Sequence, residues 1–502
     1  MTEQDPEFAR AMERVTAWLR DDKKLLIGGT WVAAATGEVV EVVNPSDGTT
    51  LGRVARGGEA DVDAAVAAAR AAFEGPWRRA TPRDRQLLIT RFAGLIDEHY
   101  HELAILESLD LGVAYVRSFG KRNRTVSHLD FYAAVAGGRN AGTRVEASTM
   151  PGRFGVIVEQ PIGVVGAITP WNSPVMSALW KIGPVLATGC TMVLKPAEEA
   201  PLVSLRLGEL LIEAGMPAGV VNIVNGRGSV AGAALAAHPG VNKVAFTGST
   251  DTAKSIITAT TNNFARLSLE LGGKSPNIVF ADADLAAAAK GAIAAGFTNS
   301  GQICTAGTRL FVQDVVYDEF LAELRMHTAR LRVGPGLEPG VDVGPLVSRR
   351  QQERVQGFLE RATQQGAETV VGGGDVDPRL HAGSFIMPAV LGGITDDMEV
   401  YSEEVFGPVV VARPFSSADE VIRMANDSRY GLAGGIWSRN IDTVNRVSAE
   451  VDAGIFWVNG YGLMDPAFPF GGMKHSGYGR EGGLVQLEDY LTTKTVVQGT
   501  DL

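Results

Sequence analysis

The segment from residue 162 to residue 270 alternates short apolar runs with stretches of helical character. The apolar runs lie at residues 162–168, 191–194, 220–224, 243–246 and 267–269, and the helical stretches at 175–188, 202–214, 229–237 and 252–260. Continuous apolar strands separated by helices are typical of a parallel sheet that is covered on both faces. The alternation therefore predicts a doubly wound α/β domain of the nucleotide-binding kind.

A second α/β series follows the first. Its predicted strands lie at residues 277–280, 308–312, 405–412, 434–437 and 454–458, with helices that include 284–295 and 420–427. Two further segments, 143–157 and 493–497, read as isolated strands outside either sheet, and such appendages often pair between subunits. Because single cores rarely exceed about 250–300 residues, we expect two doubly wound domains and a small β arm.

Composition excludes several classes of partner. The net charge is −11, and an acidic surface repels phosphodiester backbones, so we expect no nucleic-acid partner. No apolar stretch reaches the ~18–20 residues of a membrane span, and residues 1–7 show no secretory signal. Two cysteines cannot form a disulfide framework, which predicts a reducing cytoplasm. The histidines are scattered, so we expect no metal.

Polar or glycine-rich clusters begin where predicted parallel strands end. They are Thr169-Pro170-Trp171-Asn172, Lys195-Pro196-Ala197-Glu198, Asn225-Gly226-Arg227-Gly228 and Thr247-Gly248-Ser249-Thr250. Ligands of open α/β sheets bind outside the carboxyl ends of the strands. Any one cluster could be an ordinary βα turn, which needs glycine and capping residues anyway. Together the clusters indicate one shared ligand.

The chemistry of these clusters suits a dinucleotide. Gly248 and Ser249 precede a helix, whose free N–H groups and dipole favour a pyrophosphate. Lys195 and Glu198 could bind the hydroxyls of an adenine ribose. A carboxylate there would repel a 2′-phosphate, which favours NAD over NADP without excluding NADP. The G-x-G-x-x-G triplet of many dinucleotide sites is absent.

Cys304 and Glu270 are the candidates for covalent chemistry. Cys304 follows a polar loop, so we expect an accessible thiol, whereas Cys190 leads into an apolar strand and is interpreted as packing. Glu270 ends a strand and precedes two glycines, and a partly buried carboxyl can act as a base near neutrality. The alternatives are an inert buried cysteine and a solvated glutamate, which are the commoner fates of these residue types.

The motifs resemble those of the aldehyde dehydrogenase superfamily from about residue 26 to residue 497. They are Pro170-Trp171-Asn172-Ser173-Pro174, Lys195-Pro196-Ala197-Glu198, Phe246-Thr247-Gly248-Ser249-Thr250, Glu270-Leu271-Gly272-Gly273-Lys274, Gly301-Gln302-Ile303-Cys304, Glu403-Glu404-Val405-Phe406-Gly407-Pro408 and Pro469-Phe470-Gly471-Gly472. The resemblance implies an NAD-binding domain (1–137 and 158–270), a catalytic domain (271–470) and an oligomerisation arm (138–157 and 483–502). It also implies a homodimer or homotetramer.

The resemblance implies roles for individual residues. Cys304 matches the nucleophile, Glu270 the general base, Asn172 the oxyanion-hole amide and Lys181 a supporting lysine. The implied cofactor contacts are Ile168, Thr169, Pro170, Trp171, Lys195, Glu198, Gly228, Phe246, Gly248, Ser249, Leu271, Gln351, Glu404 and Phe406. The implied substrate tunnel consists of Ser173, Met176, Trp180, Ile303, Thr305, Tyr461, Met464 and Phe470.

The expected reaction is oxidation of an aldehyde to the carboxylic acid with NAD. It would pass through a thiohemiacetal and a thioester on Cys304, with Glu270 as the base that promotes hydrolysis. The implied tunnel is mostly apolar or aromatic, which favours medium aliphatic or aromatic aldehydes. No arginine falls among its residues, so a succinate-type semialdehyde is disfavoured, while Trp180 and Tyr461 leave betaine aldehyde open.

Two other functions remain open at this stage. A CoA-acylating semialdehyde dehydrogenase would transfer the acyl group to CoA instead of water, and the presence of Glu270 argues against it. A non-enzymatic protein that reuses the fold, for example as a structural protein of the lens, would not need Cys304, Glu270 and Asn172 to be intact.

Overall fold

The computed structural model describes residues 5–138 and 142–498. Residues 1–4, residues 139–141 in the predicted arm and residues 499–502 at its far end lie outside the described residues. The β-strands are β1 (Leu25–Ile27), β2 (Thr30–Val32), β3 (Val39–Val43), β4 (Thr50–Ala55), β5 (Gly142–Glu146), β6 (Phe154–Pro161), β7 (Val164–Ile168), β8 (Thr191–Lys195), β9 (Val221–Ile223), β10 (Lys243–Thr247), β11 (Arg266–Glu270), β12 (Pro276–Val279), β13 (Arg309–Gln313), β14 (Glu368–Gly372), β15 (Ala389–Gly392), β16 (Val409–Phe415), β17 (Tyr430–Gly431), β18 (Ala433–Trp437), β19 (Ile455–Val458), β20 (Met473–Lys474), β21 (Gly477–Tyr478) and β22 (Leu491–Gln498). The α-helices are α1 (Pro6–Trp18), α2 (Glu59–Glu74), α3 (Pro82–Glu98), α4 (Tyr100–Asp110), α5 (Tyr115–Phe119), α6 (Arg122–Gly138), α7 (Pro174–Thr188), α8 (Leu202–Glu213), α9 (Ala233–Ala237), α10 (Thr250–Ala259), α11 (Leu285–Phe297), α12 (Tyr317–Thr328), α13 (Arg349–Gln364), α14 (Glu399–Ser402), α15 (Ala418–Asn426) and α16 (Ile441–Glu450).

The first sheet has eight strands in the order β2-β1-β9-β8-β7-β10-β11-β21. Strands β7 to β11 are parallel to their neighbours, and β1 and β21 pair antiparallel at either side of them. Every residue of β7, β8 and β9 is buried because helices cover both faces of the sheet. The predicted strands of this region are confirmed.

The order of these strands creates a crevice. From β7 the chain proceeds to β8 and β9 on one side, and then returns to place β10 and β11 on the other side. The direction of winding therefore changes between β7 and β10, and ligands of doubly wound sheets bind at such a point, outside the carboxyl ends of the strands. The polar clusters found in the sequence lie along this edge.

The second sheet has seven strands in the order β14-β15-β16-β13-β12-β18-β19, and β14 alone is antiparallel to its neighbour. Two corrections concern it. The strand predicted at 405–412 begins only at Val409, because Phe406 has a left-handed φ of 58° that interrupts an extended chain. Strands β14 and β15 were not predicted, since β14 is a mostly exposed edge strand without a continuous apolar run.

The strands predicted outside both sheets pair with each other. The segment predicted at 143–157 forms a hairpin of β5 and β6, and β22 pairs antiparallel with β6 over its whole length. This three-stranded sheet is the arm, and its role in oligomerisation and the proposed domain limits stay predictions. None of the helices within residues 5–138 and 142–498 has the length and apolar character that crossing a bilayer requires.

A buried arginine ties the second sheet to a helix end. Arg309 on β13 is 2% exposed and donates to the carbonyl oxygens of Met424 (2.9 Å) and Ala425 (2.7 Å) in the last turn of α15. It also donates to the Lys274 carbonyl at 2.8 Å. A cation at a helix C-terminus satisfies carbonyls that lack partners within the helix. This contact holds the loop after β11 beside the second sheet.

We expect the substitution Arg309→Met to destabilise the protein. Four carbonyl oxygens, including that of Asp427, would lose a donor, at a cost of about 1–3 kcal/mol for each buried group left unsatisfied. The midpoint of thermal unfolding should fall by several degrees in differential scanning calorimetry. The control is Arg446→Met, which removes an exposed arginine paired with Glu450 and should change stability by less than about 1 kcal/mol. Equal midpoints for the two variants would contradict this account.

Candidate active site

The clusters at the strand ends form one continuous edge. Lys195 ends β8 and is 4% exposed, and Glu198, three residues later, is exposed and accepts a hydrogen bond from the Gly228 N–H at 2.8 Å. At the end of β7 the Thr169 N–H donates to the Lys195 carbonyl at 3.1 Å. The structure thus brings together the predicted residues at and just after the ends of β7, β8 and β9, and these include Ile168, Pro170 and Trp171.

The turn after β10 completes this edge. Ser249 is the N-cap of α10 and accepts from the Thr252 N–H at 3.2 Å. A Cβ built on Gly248 would lie 2.4 Å from the Phe246 ring, so only glycine fits between that ring and the helix. On the neighbouring strand, Leu271 directly follows β11 and its N–H donates to the Ser476 carbonyl at 3.1 Å.

The loop that carries Cys304 is strained and firmly held. Asn299, Ser300 and Gly301 have consecutive left-handed φ values of 52°, 55° and 71°. Left-handed non-glycine residues cost about 1–3 kcal/mol each and persist where the surroundings impose them. The Ser300 hydroxyl donates to the Gly344 carbonyl at 2.8 Å, and the Gln302 side chain accepts from the Val347 N–H at 2.9 Å. The backbone at Cys304 is therefore preorganised.

Asn172 belongs to the same network. Its side-chain amide donates to the Gln302 carbonyl at 2.9 Å, and its own carbonyl accepts from the Asn299 amide at 2.9 Å. An amide carries two N–H bonds, so one remains for a ligand beside Cys304. The structure thus brings Asn172 to the cysteine loop, as the sequence predicted.

Two glycines join the end of β11 to the opposite side of the site. A Cβ built on Gly273 would lie 2.5 Å from the Cys304 carbonyl oxygen, and one on Gly272 would lie 2.2 Å from an oxygen of Glu404. The Gly273 N–H donates to Glu404 at 3.1 Å. A side chain at Gly273 would collide with backbone, and one at Gly272 would displace the Glu404 carboxylate, so this pair, the Gly272–Gly273 junction, sets the separation of the three chain segments.

Glu404, Phe406 and Gln351 lie together at the far side of the crevice. Burial raises the pKa of Glu404 to about 7, and the Gly273 N–H opposes that shift. Gln351 in the first turn of α13 donates to the Phe406 carbonyl at 2.8 Å, and the Phe406 ring meets Trp171 edge-on at 5.2 Å. Trp171 follows β7, so this contact closes the crevice between the two sheets.

Glu270 is buried, with 2% of its surface exposed, and neither carboxyl oxygen has a hydrogen-bond partner within the described residues. Burial raises its pKa well above the ordinary value, and the nearby cations of Lys181 and Arg480 oppose that shift. A Cβ on Gly471 would lie 2.7 Å from Glu270, so glycine is required there too. A buried carboxyl with a raised pKa is suited to exchange a proton near neutral pH.

Lys181 is buried below this carboxylate. It pairs with Glu481 and also donates to the Thr247 hydroxyl at 3.0 Å, at the end of β10. Glu481 is 1% exposed and was not predicted from the sequence. No periodicity of the sequence marks Glu481, because it lies in a glycine-rich loop. This loop is distant in sequence from the strands of the first sheet that it packs against.

The Cys304 thiol is half-buried. Burial raises the pKa of the thiol to about 12, and the carboxylates of Glu404 and Glu270 act in the same direction. Glu270 is thus close enough to influence the thiol electrostatically. A thiol with a raised pKa requires either a base or an added positive charge before it can attack. Cys190, by contrast, is fully buried, as the sequence predicted.

The predicted tunnel is only partly assembled. Met176, Trp180, Met464 and Phe470 do line one pocket, in which the Trp180 and Phe470 rings lie 5.1 Å apart. The remaining lining residues of that pocket are Arg124, His128, Asp465, Pro466, Phe468 and Gly482. None of the predicted tunnel residues is an arginine, but α6 packs against α7 and contributes Arg124 to this pocket, which no motif of the sequence marked.

The other predicted tunnel residues lie beside Cys304 instead of in this pocket. Ser173 is the N-cap residue of α7, and Ile303 and Thr305 flank Cys304 in the chain. The Tyr461 hydroxyl donates to the Thr305 carbonyl at 2.9 Å, so this ring supports the cysteine loop.

Comparison with known proteins gives a consistent result. Residues 31–496 match the profile of the aldehyde dehydrogenase family. Phenylacetaldehyde dehydrogenase of Pseudomonas fluorescens is 43% identical over 493 residues, covering 95% of this chain and 96% of that protein. An NAD+ complex of aldehyde dehydrogenase from Bacillus cereus superimposes with a TM-score of 0.94 at 43% identity, covering 97% and 99% of the two chains. The chain is an enzyme that belongs to the aldehyde dehydrogenase family.

Proposed function

We propose that this enzyme oxidises an aldehyde to the carboxylic acid with NAD, using Cys304 as nucleophile and Glu270 as base. The observation that carries the proposal is the pairing of a half-buried thiol on a preorganised loop with a buried, unpartnered carboxyl close enough to raise its pKa. Both flank the crevice where a dinucleotide is expected. A packing cysteine and a solvated glutamate would show neither feature.

The residues of the crevice fit NAD. The buried ammonium of Lys195 makes no hydrogen bond within the described part of the chain, although Glu198 and Glu199 lie near enough to raise its pKa against the lowering effect of burial. We assign Lys195 and Glu198 to the adenine ribose, Gly248 and Ser249 to the pyrophosphate, and Glu404 to the nicotinamide ribose. When bound, NAD supplies the hydride acceptor, and its positive ring favours the Cys304 thiolate. The other contacts implied by the resemblance flank the crevice: Ile168, Thr169, Pro170, Trp171, Gly228, Phe246 and Leu271 along the edge of the first sheet, and Gln351 and Phe406 on the far side.

The proposed chemistry begins at Cys304. The thiolate attacks the aldehyde carbon, and the oxygen of the resulting thiohemiacetal accepts hydrogen bonds from the Asn172 amide and the Cys304 N–H. Loss of hydride from the carbon leaves a thioester on the sulfur. Glu270 in its carboxylate form then takes a proton from water as the water oxygen attacks the thioester carbon, and the C–S bond breaks to release the carboxylic acid and the Cys304 thiolate. Lys181, paired with Glu481, lies near enough to Glu270 to stabilise its carboxylate form.

The pocket beyond Cys304 supports medium aliphatic or aromatic aldehydes. Met176, Trp180, Met464, Phe468 and Phe470 give it apolar and aromatic walls. A relative that shares 43% of its sequence with this chain is named for phenylacetaldehyde. Another relative, 40% identical, is named for betaine aldehyde, so the relatives alone do not select a substrate class.

The exposed edges of the arm support assembly into a homodimer or homotetramer. Strands β22 and β5 form the two edges of its sheet, and both are largely exposed. Val497 on β22 is 64% exposed, and an open edge with exposed apolar residues can pair with a strand of another subunit. A cytoplasmic location remains a prediction from the sequence.

The rival CoA-acylating reaction differs in its product. In that reaction the thioester is transferred to the thiol of CoA and no water needs activation. We therefore expect equal amounts of NADH and free carboxylic acid, unchanged by added CoA. Formation of acyl-CoA would favour the rival, and failure of a wide aldehyde panel to yield NADH would favour a non-enzymatic role.

We expect Cys304→Ala to abolish NADH formation, because removal of a catalytic nucleophile lowers kcat on the order of 10⁶-fold. Calorimetric titration should still detect NAD binding to this variant. The matched control is Cys190→Ala, since Cys190 is fully buried and donates only to the Tyr490 carbonyl. Substantial turnover by the Cys304 variant would refute its assignment.

We expect Glu270→Gln to lower kcat by about 10²–10⁴-fold while retaining a rapid first turnover. If Glu270 acts in hydrolysis, stopped-flow absorbance should show a burst of about one NADH per site before the slow steady state. Because the pKa of Glu270 is raised, its carboxylate form increases as the pH rises, so wild-type kcat should rise with pH and this limb should be lost in the variant. The absence of a burst would place Glu270 in an earlier step.

We expect Glu198→Gln to reduce the preference for NAD over NADP by about tenfold or more, because a carboxylate facing the 2′-phosphate is repulsive. The measurement is kcat/KM for each cofactor at a saturating aldehyde concentration. The control is Glu213→Gln, at the exposed end of α8. An unchanged preference would show that Glu198 does not face the adenine ribose.

A further inference from the structure

Arg124 is a cation without a counter-ion in the pocket. It lies in the first turn of α6, is half-buried, and lines the pocket together with Met176 and Trp180. Within the described residues its guanidinium forms neither a hydrogen bond nor an ion pair. Arg122 on the same helix, by contrast, pairs with Asp97 at 2.6 Å. Desolvating an unpaired guanidinium is unfavourable, so this position calls for an anionic ligand.

The nearby carboxylates are engaged elsewhere. Glu107 is fully buried, pairs with Lys121 at 3.7 Å and accepts from the Ser118 hydroxyl. Asp465 also lines the pocket, but its carboxylate accepts from the Ala467 N–H at 2.9 Å within its own turn. In the part of the chain that the structure describes, neither carboxylate reaches ion-pair distance of Arg124. Burial lowers the pKa of Arg124, and the Glu107 carboxylate opposes that shift without accepting a hydrogen bond from the guanidinium.

His128, one turn further along α6, supplies a second free polar group. It is 1% exposed, and its Nε2 atom has no hydrogen-bond partner among the described residues. Burial lowers the pKa of His128 to about 4, and the Arg124 cation acts in the same direction, so the ring is neutral at physiological pH. A neutral imidazole beside a guanidinium suits a ligand with several polar atoms.

The pocket lies further along α7 than the end of the helix that begins beside Asn172. Met176 and Trp180 follow Asn172 by four and eight positions, and a helix rises about 6 Å over four residues. Near the start of α7, Asn172 contacts the Gln302 carbonyl, two residues before Cys304. In the first turn of the helix, the Met176 sulfur is contacted at 3.3 Å by Thr125, which is next to Arg124. Met176 and Trp180 thus extend from the end of α7 near Asn172 to the pocket that holds Arg124, so an aldehyde held at Cys304 could extend its far end along this helix toward Arg124.

We infer that Arg124 determines specificity by binding a carboxylate at the far end of the aldehyde. The substrates selected in this way are ω-oxo carboxylates, or aromatic aldehydes with a ring carboxylate, in which an apolar spacer separates the two groups. A guanidinium binds a carboxylate through two parallel hydrogen bonds, which fixes orientation as well as charge. The inference rests on the proposed oxidation of aldehydes. The same cation disfavours a quaternary ammonium, and thus betaine aldehyde.

The first test compares hexanal with 6-oxohexanoate, which differ only in the terminal carboxylate. We expect kcat/KM of the wild-type enzyme to be at least about tenfold higher for 6-oxohexanoate, and this ratio to fall at least about tenfold in Arg124→Gln. Arg124→Lys should give an intermediate ratio, because a lysine keeps the charge without the bidentate geometry. The control Arg122→Gln should leave the ratio unchanged. A wild-type ratio near one, or the same ratio in Arg124→Gln, would overturn the inference.

A second substrate pair tests the sign of the charge. Betaine aldehyde and 3,3-dimethylbutanal have nearly the same shape, but only the former carries a positive charge. The wild-type enzyme should prefer the neutral aldehyde, and Arg124→Gln should narrow that difference. A wild-type preference for betaine aldehyde would count against a cationic pocket.

A binding measurement separates this inference from the proposed function. Adipate, the product expected from 6-oxohexanoate, is titrated calorimetrically into the wild type and the variants, which requires no turnover. If adipate binds at least about tenfold more weakly to Arg124→Gln than to the wild type, the carboxylate site is supported. If no aldehyde is oxidised as well, the proposed function is refuted while the carboxylate site stands. If the enzyme oxidises aldehydes but neither adipate binding nor the preference for 6-oxohexanoate changes in Arg124→Gln, the inference is refuted while the proposed function stands. If Arg124→Gln does not fold, the deciding measurements are the ratio of kcat/KM for 6-oxohexanoate and hexanal in the wild type and the same ratio in Arg124→Lys.

Discussion

The close approach at the Gly272–Gly273 junction is the constraint on which the rest of the site depends. The Cys304 carbonyl and the Glu404 carboxylate both occupy space that a side chain at these positions would fill. The junction begins two residues after Glu270, so a short segment of backbone connects the proposed base to the positions that face the proposed nucleophile and the proposed ribose contact. A Cβ at Gly273 would meet the backbone at Cys304, and one at Gly272 would displace the Glu404 carboxylate, so a substitution at either position would disturb the spacing of these groups.

Burial of charge is the second organising feature. Glu270, Lys181 and Glu481 are almost fully withdrawn from solvent at the end of the first sheet. Charges in such surroundings are costly unless paired. Lys181 is paired with Glu481, whereas neither oxygen of Glu270 has a hydrogen-bond partner in the described part of the chain. Because Lys181 is paired with Glu481 and not with Glu270, Glu270 is the member of this cluster that most readily gains or loses a proton. The same reasoning identifies Arg124 in the pocket, where a cation lacks the partner that Arg122 has on the same helix.

Much of the fold could be predicted because its strands are buried on both faces. In β7, β8 and β10 the apolar runs are continuous, and the polar clusters that follow them mark the ligand edge without further information. The edge strand β14 could not be recognised in this way, since its residues are mostly exposed. The left-handed backbone at Phe406 shortened a predicted strand, and this residue contacts Gln351 and Trp171 from distant parts of the chain, which local sequence does not encode.

The sequence by itself determined the two sheets, the edge at which a dinucleotide is expected, and the candidates Cys304 and Glu270, because these follow from periodicity and from motifs of neighbouring residues. Only the tertiary structure decided what surrounds them. Glu481 reaches Lys181 from 300 positions further along the chain, and Arg124 enters the pocket because α6 packs against α7. Such contacts depend on how helices and loops return to a site, and hydrophobic periodicity carries no record of that.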